Sequence, residues 1–383
     1  MSSIRKRTWV SRDGTTQQAW LVDYRDQAGR RRAKQFRRKK EAEAWSTNAD
    51  AEVQRGVHTP DSTSVTVKRA ADLWLDGVRS HNREPTTIAS YEQHVRLHII
   101  PRCGAQKLSQ LSAPKVRVLL NEWLATLSRP MATRVFRTFK AILTDAQERG
   151  LVAQNIALAV KVKKAPREKS QAMPPSKAEL RAILNAAEAS DDIKGRTMTM
   201  LVIFSGMRAS EIRGLAWRSV DLSKKTVRIE QRADAAGSIG APKSAAGFRT
   251  IPLPDRVISS LRQWKLACPA HPLDIVFPSQ KGRVLSYSVM AKNHLKPIIV
   301  AAGVTKPGAA VDSQMAKYTA HIFRHAAASL WIEQGLNPKR VQSLVGHGSI
   351  QVTFDTYGHL FEEEQRDADD ASAIERALFT DAT

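Results

Sequence analysis

Cysteine is almost missing from this chain: Cys103 and Cys268 are the only two in 383 residues. A pair so far apart builds neither a disulfide scaffold nor a zinc cluster, so a reducing, cytoplasmic setting is expected. Long apolar runs are missing as well. No stretch approaches the ~18 residues of a spanning helix, and the opening residues MSSIRKRTW lack the apolar core of a signal peptide. There is no G-x-x-x-x-G-K-S/T stretch to cradle a nucleoside triphosphate, and no internal repeat of solenoid period. Negative charge is the scarcer sign, with 37 Asp and Glu against 60 Lys and Arg and a formal net charge of +23. Such an excess steers and holds a polyanion, nucleic acid before any other. An anionic membrane, the rival partner, has no apolar segment here to match it.

What is present divides into segments. At this length two or three domains, each with its own core, are expected. Residues 1–57 read as a three-stranded sheet plus a helix: TWVSR, a turn at Asp13-Gly14, AWLVDY, a turn at DQAG, RRRAKQF, then a helix from Arg38 to Arg55 stopped by Gly56. Thirteen basic residues against three acidic ones lie between Arg5 and Lys40, a charge suited to a sheet that enters a DNA groove. His58 to Val65 reads as a linker. Residues 64–161 carry four apolar-periodic stretches, a small helical bundle. Its other faces hold Lys68, Arg69, Arg79, Arg83, Arg96, Lys115, Arg117, Arg129, Arg134, Arg137 and Lys140. Lys161 to Pro175, with three prolines, reads as a second linker. From 172 to 383 a capping box at Ser176 and Glu179 opens a helix. A buried helix broken at Gly206, two strands around a Gly- and Ala-rich loop, and further helices follow. The fold class expected is mainly α with small β elements (α+β).

The chemistry concentrates in three words: SGMRASEI, AHIFRHAAAS and VGHGSIQVTFDTYGH. They supply Arg208, His321, Arg324, His347 and Tyr357. Two guanidiniums, two imidazoles and a phenol, with no carboxylate cluster beside them, make a poor metal site and a good phosphodiester site. Guanidinium forks match phosphate oxygens, imidazoles donate to them, and a phenolic oxygen can attack phosphorus. No catalytic metal and no cofactor are expected. The phenol, with an ordinary pKa of ~10, needs a base, and His321 is the candidate acceptor. Glu211 reads as a residue that holds the Arg208 guanidinium, and Arg213 as structural or DNA-facing. Val352, Phe354 and Leu360 read as core residues around Tyr357. His325 and His359 are left outside the site.

These five positions in this order resemble the active site of the tyrosine recombinases, the phage-type site-specific integrases, closely over residues 172 to 362 and more loosely before them. The resemblance implies an arm-type DNA-binding domain at 1–57, a core-binding domain at 64–161 and a catalytic domain at 172–383. It also implies a lysine general acid on the loop between two strands. Lys243, in APKSAAGFRTIPL, matches it, with Arg249 as the usual basic neighbour and Lys224 or Lys225 as competitors. The implied activity is DNA cleavage and rejoining through a 3′-phosphotyrosyl intermediate, integrating or excising a mobile element. Double-stranded DNA with attachment-type sites is the implied partner, with a tetramer on DNA and accessory DNA-bending or directionality factors. A topoisomerase of the same chemistry and a catalytically inert DNA-binding regulator are the alternatives. The tail from Phe361 reverses charge, with eight acidic and two basic residues, and Ala371 to Phe379 is expected to dock on a neighbouring protomer.

Overall fold

The computed structural model describes residues 2–81, 83–163, 174–307 and 315–361. The tail segment Ala371 to Phe379 and most of the second linker lie outside the described residues. The chain forms two compact units, Met1–Glu168 and Lys169–Thr383. The architecture is α+β, helices with small antiparallel sheets.

In the first unit β1 (Ser3–Val10), β2 (Thr16–Arg25) and β3 (Arg31–Phe36) pair antiparallel in the order β1-β2-β3. The two hairpins turn through Gly14 and Gly29, both at positive φ, as the Asp-Gly turn demands. Cross-strand register puts Trp20, Val22, Tyr24, Lys34 and Phe36 on one face, which α1 (Lys39–Gln54) covers. Tyr24, Trp45 and His58 meet there edge to face. The opposite face shows Arg5, Arg7, Arg25 and Arg31.

The segment 58–65 is not a free linker. His58 bonds Tyr24 Oη at 3.0 Å and Glu52 at 2.9 Å, and Asp61 pairs with Lys34 and accepts from Ser109. Its polar residues, which suggested a solvated connector, are used instead as anchors between sheet and bundle. In the bundle, α2 (Val67–Ser80), α3 (Pro85–His94), α4 (Ala113–Thr126) and α5 (Arg129–Glu148) surround Ile99, Leu120, Trp123, Phe136, Phe139 and Ile142. Thr66 and Ser112 cap α2 and α4 through their hydroxyls.

The second unit opens with α6 (Lys177–Glu188), started by the Ser176/Glu179 capping box. Glu179 also accepts from Lys317 at 2.6 Å and Tyr318 at 3.0 Å. Next, α7 (Ile193–Ser205) is buried on nearly every side, as its unbroken apolar run TMTMLVIF requires. It stops at Gly206, φ 59°, and α8 (Ala209–Gly214) follows. β4 (Val220–Asp221), β5 (Thr226–Ile229) and β8 (Arg249–Pro252) form one small sheet, with the hairpin β6 (Arg232–Ala233) and β7 (Ile239–Gly240) between. α9 (Asp255–Ala267), α10 (Lys296–Ala301), α11 (Ala320–Glu333), α12 (Pro338–Val345) and α13 (Ile350–Tyr357) complete it. No helix among the described residues is long and apolar enough to cross a membrane.

Candidate active site

The site is built on the C-terminal end of α12. The last carbonyls of a helix lack intrahelical partners and carry its negative pole. Here three successive ones each take a guanidinium: Leu344 O from Arg249 Nε at 2.8 Å, Val345 O from Arg324 Nη2, and Gly346 O from Arg208 Nη2 at 2.9 Å. Gly346 ends the helix at φ 69°. A Cβ there would meet Ala246 O at 2.8 Å and Arg249 Nη1 at 3.0 Å, so the loop before β8 closes directly on this glycine. Arg324 also donates to the carbonyl of Gly206, the glycine that ends α7, at 2.8 Å.

Glu211 ties two of the arginines together. Its carboxylate accepts from the Arg208 amide and Nη1, both at 2.8 Å, and from Arg249 Nη1 and Nη2 at 3.0 and 2.7 Å. Burial would raise its pKa, but the Arg249 hydrogen bonds and charge, with Arg208, bring it below the usual carboxylate value. Arg208 and Arg249 thus share one carboxylate while Arg324 bonds backbone carbonyls, and the three positive charges exceed this one negative charge. Burial first, then Arg208, holds the Arg324 pKa below its ordinary value. A group so destabilised in its charged form favours a bound anion. The Arg208 side chain remains 39% exposed, so one edge of the cluster is open to it.

Tyr357 closes the site from α13. The residue is 3% exposed, and burial pushes its pKa up to about 12 against the opposing charge of Arg324. Its hydroxyl lies 2.9 Å from Nδ1 of His325. His347 lies nearly parallel to the phenol, rings 6.4 Å apart, with Nδ1 3.0 Å from Thr353 Oγ1. Burial, then Arg324 and Arg208, push its pKa down to about 4, so it is neutral at physiological pH. His321 is exposed and meets the His325 ring edge-on at 5.0 Å.

Two family models match this chain: the phage integrase family over residues 176–364, and the phage integrase N-terminal SAM-like domain over residues 66–124. The chain belongs to the phage integrase family of tyrosine recombinases. It is a tyrosine-type site-specific recombinase. A XerC-like tyrosine recombinase of Caldanaerobacter subterraneus subsp. tengcongensis is 25% identical over 377 residues, 90% of this chain and 92% of that one. The integrase of the Tn1549 transposon, solved with transposon right end DNA, shares the fold with a TM-score of 0.63 at 18% identity over 83% of this chain and 100% of that one. A lambda integrase tetramer solved on a Holliday junction shares it with a TM-score of 0.58, again at 18% identity, over 89% and 95%.

Within this recombinase, Arg208, Arg324, His347 and Tyr357 converge on one site, with His321 at its exposed edge. Lys243 is exposed on the loop after β7, whose far end carries Arg249. Arg213 is structural, bonded to the carbonyls of Leu285 and Asp234. Arg249, expected as the basic neighbour of Lys243, is a buried member of the charge cluster. Two residues were not legible beforehand. Thr353 supports His347. His325, left outside the site, is the imidazole that meets the phenol. Its only sequence signal is a four-residue spacing from His321, which puts both on one helical face. Val352, Phe354 and Leu360, expected in the core, are exposed. The reason is rotational: α13 turns Thr353 and Tyr357 inward, so the residues flanking Thr353 face out. Tyr318, the other buried tyrosine of this unit, donates its hydroxyl to Glu179.

Proposed function

We propose that this recombinase cleaves and rejoins double-stranded DNA through a covalent 3′-phosphotyrosyl intermediate on Tyr357. The observation that carries the reading is the cluster of three guanidiniums, two of them bonded to a single carboxylate, set beside a buried phenol. Arg208 and Arg324 neutralise the non-bridging oxygens of the scissile phosphate, and His321 and His347 donate to them as charge builds at phosphorus. Lys243 protonates the leaving 5′ oxygen. A free 5′ hydroxyl from a partner strand then attacks the phosphotyrosine. The ester retains the bond energy, so no nucleoside triphosphate is consumed.

The rest of the chain positions the duplex. The exposed face of the N-terminal sheet, with Arg5, Arg7, Arg25 and Arg31, reads an arm-type site, residues 1–57 being the reader. In the bundle domain, 64–161, a groove of about 600 Å³ lined by Arg129, Arg134, Arg137 and Lys140 holds the backbone of the core duplex. The domain at 172–383 carries the chemistry. The integrases solved on transposon-end DNA and as a tetramer on a Holliday junction support DNA as the partner; the reading extends this to integration or excision of a mobile element by a tetramer on attachment-type sites, with accessory DNA-bending or directionality factors.

The test is covalent capture. Wild-type chain is incubated with a random-sequence library of nicked duplexes, and protein–DNA adducts are recovered under denaturing conditions and sequenced. A defined recurring site is expected, with no adduct from Tyr357→Phe. Equal capture by that variant, or none by the wild type, would overturn the proposal.

A further inference from the structure

We propose that His325 is the proton acceptor for Tyr357, holding the phenolic hydroxyl through Nδ1 and taking its proton as the oxygen attacks phosphorus. The inference rests on the reading of Tyr357 as the nucleophile. Geometry selects this imidazole among three. Its Nδ1 is 2.9 Å from the reacting oxygen, within the reach a general base needs. His347 is committed through Nδ1 to Thr353 and lies parallel to the phenol ring. His321 meets the edge of His325 from the solvent side, where it can relay a proton outward.

The O–H bond of Tyr357 breaks as its oxygen bonds phosphorus, and the proton goes to Nδ1, leaving an imidazolium whose other proton is on Nε2. The bond from phosphorus to the 5′ oxygen breaks, and that oxygen is protonated by Lys243. On rejoining, the incoming 5′ hydroxyl returns a proton to Lys243. The phenolic oxygen departs with the proton stored on His325, so strand exchange consumes no net acid or base.

The surroundings make the transfer conditional. The groups facing His325 are His321 and Arg324 from its own helix, Tyr357 from α13 and His347 from the turn after α12. Burial, His321 and Arg324 hold the His325 pKa below its ordinary value, while burial holds the phenol up at about 12. Transfer is therefore uphill in the empty site. A phosphodiester seated against Arg208 and Arg324 brings the negative charge that an imidazolium there requires, so the nucleophile is activated only on a docked strand.

The experiment compares wild type, His325→Ala, His325→Asn and Tyr357→Phe on the captured duplex. Asparagine sets its Oδ1 near the position of Nδ1, so it keeps the phenol hydrogen bond yet cannot take the proton. Both His325 variants should bind DNA normally by gel shift and form adduct ~100-fold or more slowly. Their log rates should rise by about one per pH unit over roughly pH 6 to 9, where wild type levels off, and added imidazole should restore the alanine variant. An asparagine variant within about threefold of wild type, or one with the wild-type pH profile, overturns the inference. Should His325→Ala fail to fold, the asparagine variant decides alone. Adduct from Tyr357→Phe would instead sink the nucleophile reading, so the two failures are distinct.

Discussion

Replacing Glu211 by glutamine removes the one negative charge from a position that accepts four hydrogen bonds, two from Arg208 and two from Arg249. The shape is nearly kept, but the amide nitrogen cannot accept, and Arg208, Arg249 and Arg324 are left facing one another without a counter-charge. Water cannot take its place, because the Glu211 and Arg249 side chains are each 3% exposed. Removing one partner of such a buried pair costs about 3–5 kcal/mol. At ~2–4 °C per kcal/mol for a unit of this size, the second unit should melt roughly 6–20 °C earlier, read by calorimetry of the full chain. The acid side supplies a sign. Glu211 has a folded-state pKa below the ordinary value, so its stabilisation is fully present above the unfolded pKa of ~4.3 and is lost as pH falls through the folded value. The gap between wild type and variant should therefore be constant near neutrality and narrow on acidification. A variant melting within about 2 °C of wild type at neutral pH would refute the claim that this carboxylate holds the cluster together.

Arg208→Lys or Arg324→Lys should each slow adduct formation at least ~100-fold, since a point charge cannot reproduce the bidentate fork; near wild-type rates in either would remove it from the phosphate clamp. Lys243→Ala should slow cleavage of ordinary DNA and be rescued by a duplex whose 5′ leaving atom is sulfur, which needs no proton. Equal defects on both substrates would discard the general-acid role. Gly346→Ala puts a side chain at φ 69° and within 2.8 Å of Ala246 O, so thermal melting should show a loss of about 1–3 kcal/mol, with cleavage falling too. Arg5, Arg7 and Arg31 changed together to Gln should lower the salt slope of binding to a long site by ~0.9 for each phosphate no longer neutralised and leave cleavage of a short core duplex unchanged. An unaltered slope would exclude the sheet as a DNA reader.

Local words carried much of the site because each ties a side chain to a helix boundary. Glycine ends a helix just before Arg208 and again just before His347, so both residues leave a helix end at a defined angle. Those boundaries are visible without a structure. The Glu211–Arg249 pair is not, because it joins residues 38 apart through a sheet whose register local pattern does not specify. His325 was obscured for a related reason. It follows Arg324 directly, and which of two adjacent helical residues faces the phenol depends on how α13 docks against α11, not on α11 itself. The anchoring of residues 58–65 also escaped a compositional reading: a polar stretch is equally consistent with solvation and with a web of hydrogen bonds, and only the partners decide.

The end of α12 joins fold to chemistry in one place. Three guanidiniums, from the N-cap of α8, from β8 and from α11, converge there on three successive carbonyls. Elements from separate parts of the unit must therefore all dock before the positive site exists. A partly folded chain holds the arginines and the tyrosine but not their convergence. In the mechanism proposed above, that separation keeps a latent nucleophile away from DNA until the unit is complete. In that mechanism assembly adds a second condition, since an arriving phosphate brings the negative charge that the three guanidiniums lack. The arginines are thus preorganised by helix-end carbonyls rather than by carboxylates of equal number. This is what leaves them able to bind an anion: a matched set of acidic partners would hold the same geometry and cancel the field that the reaction uses.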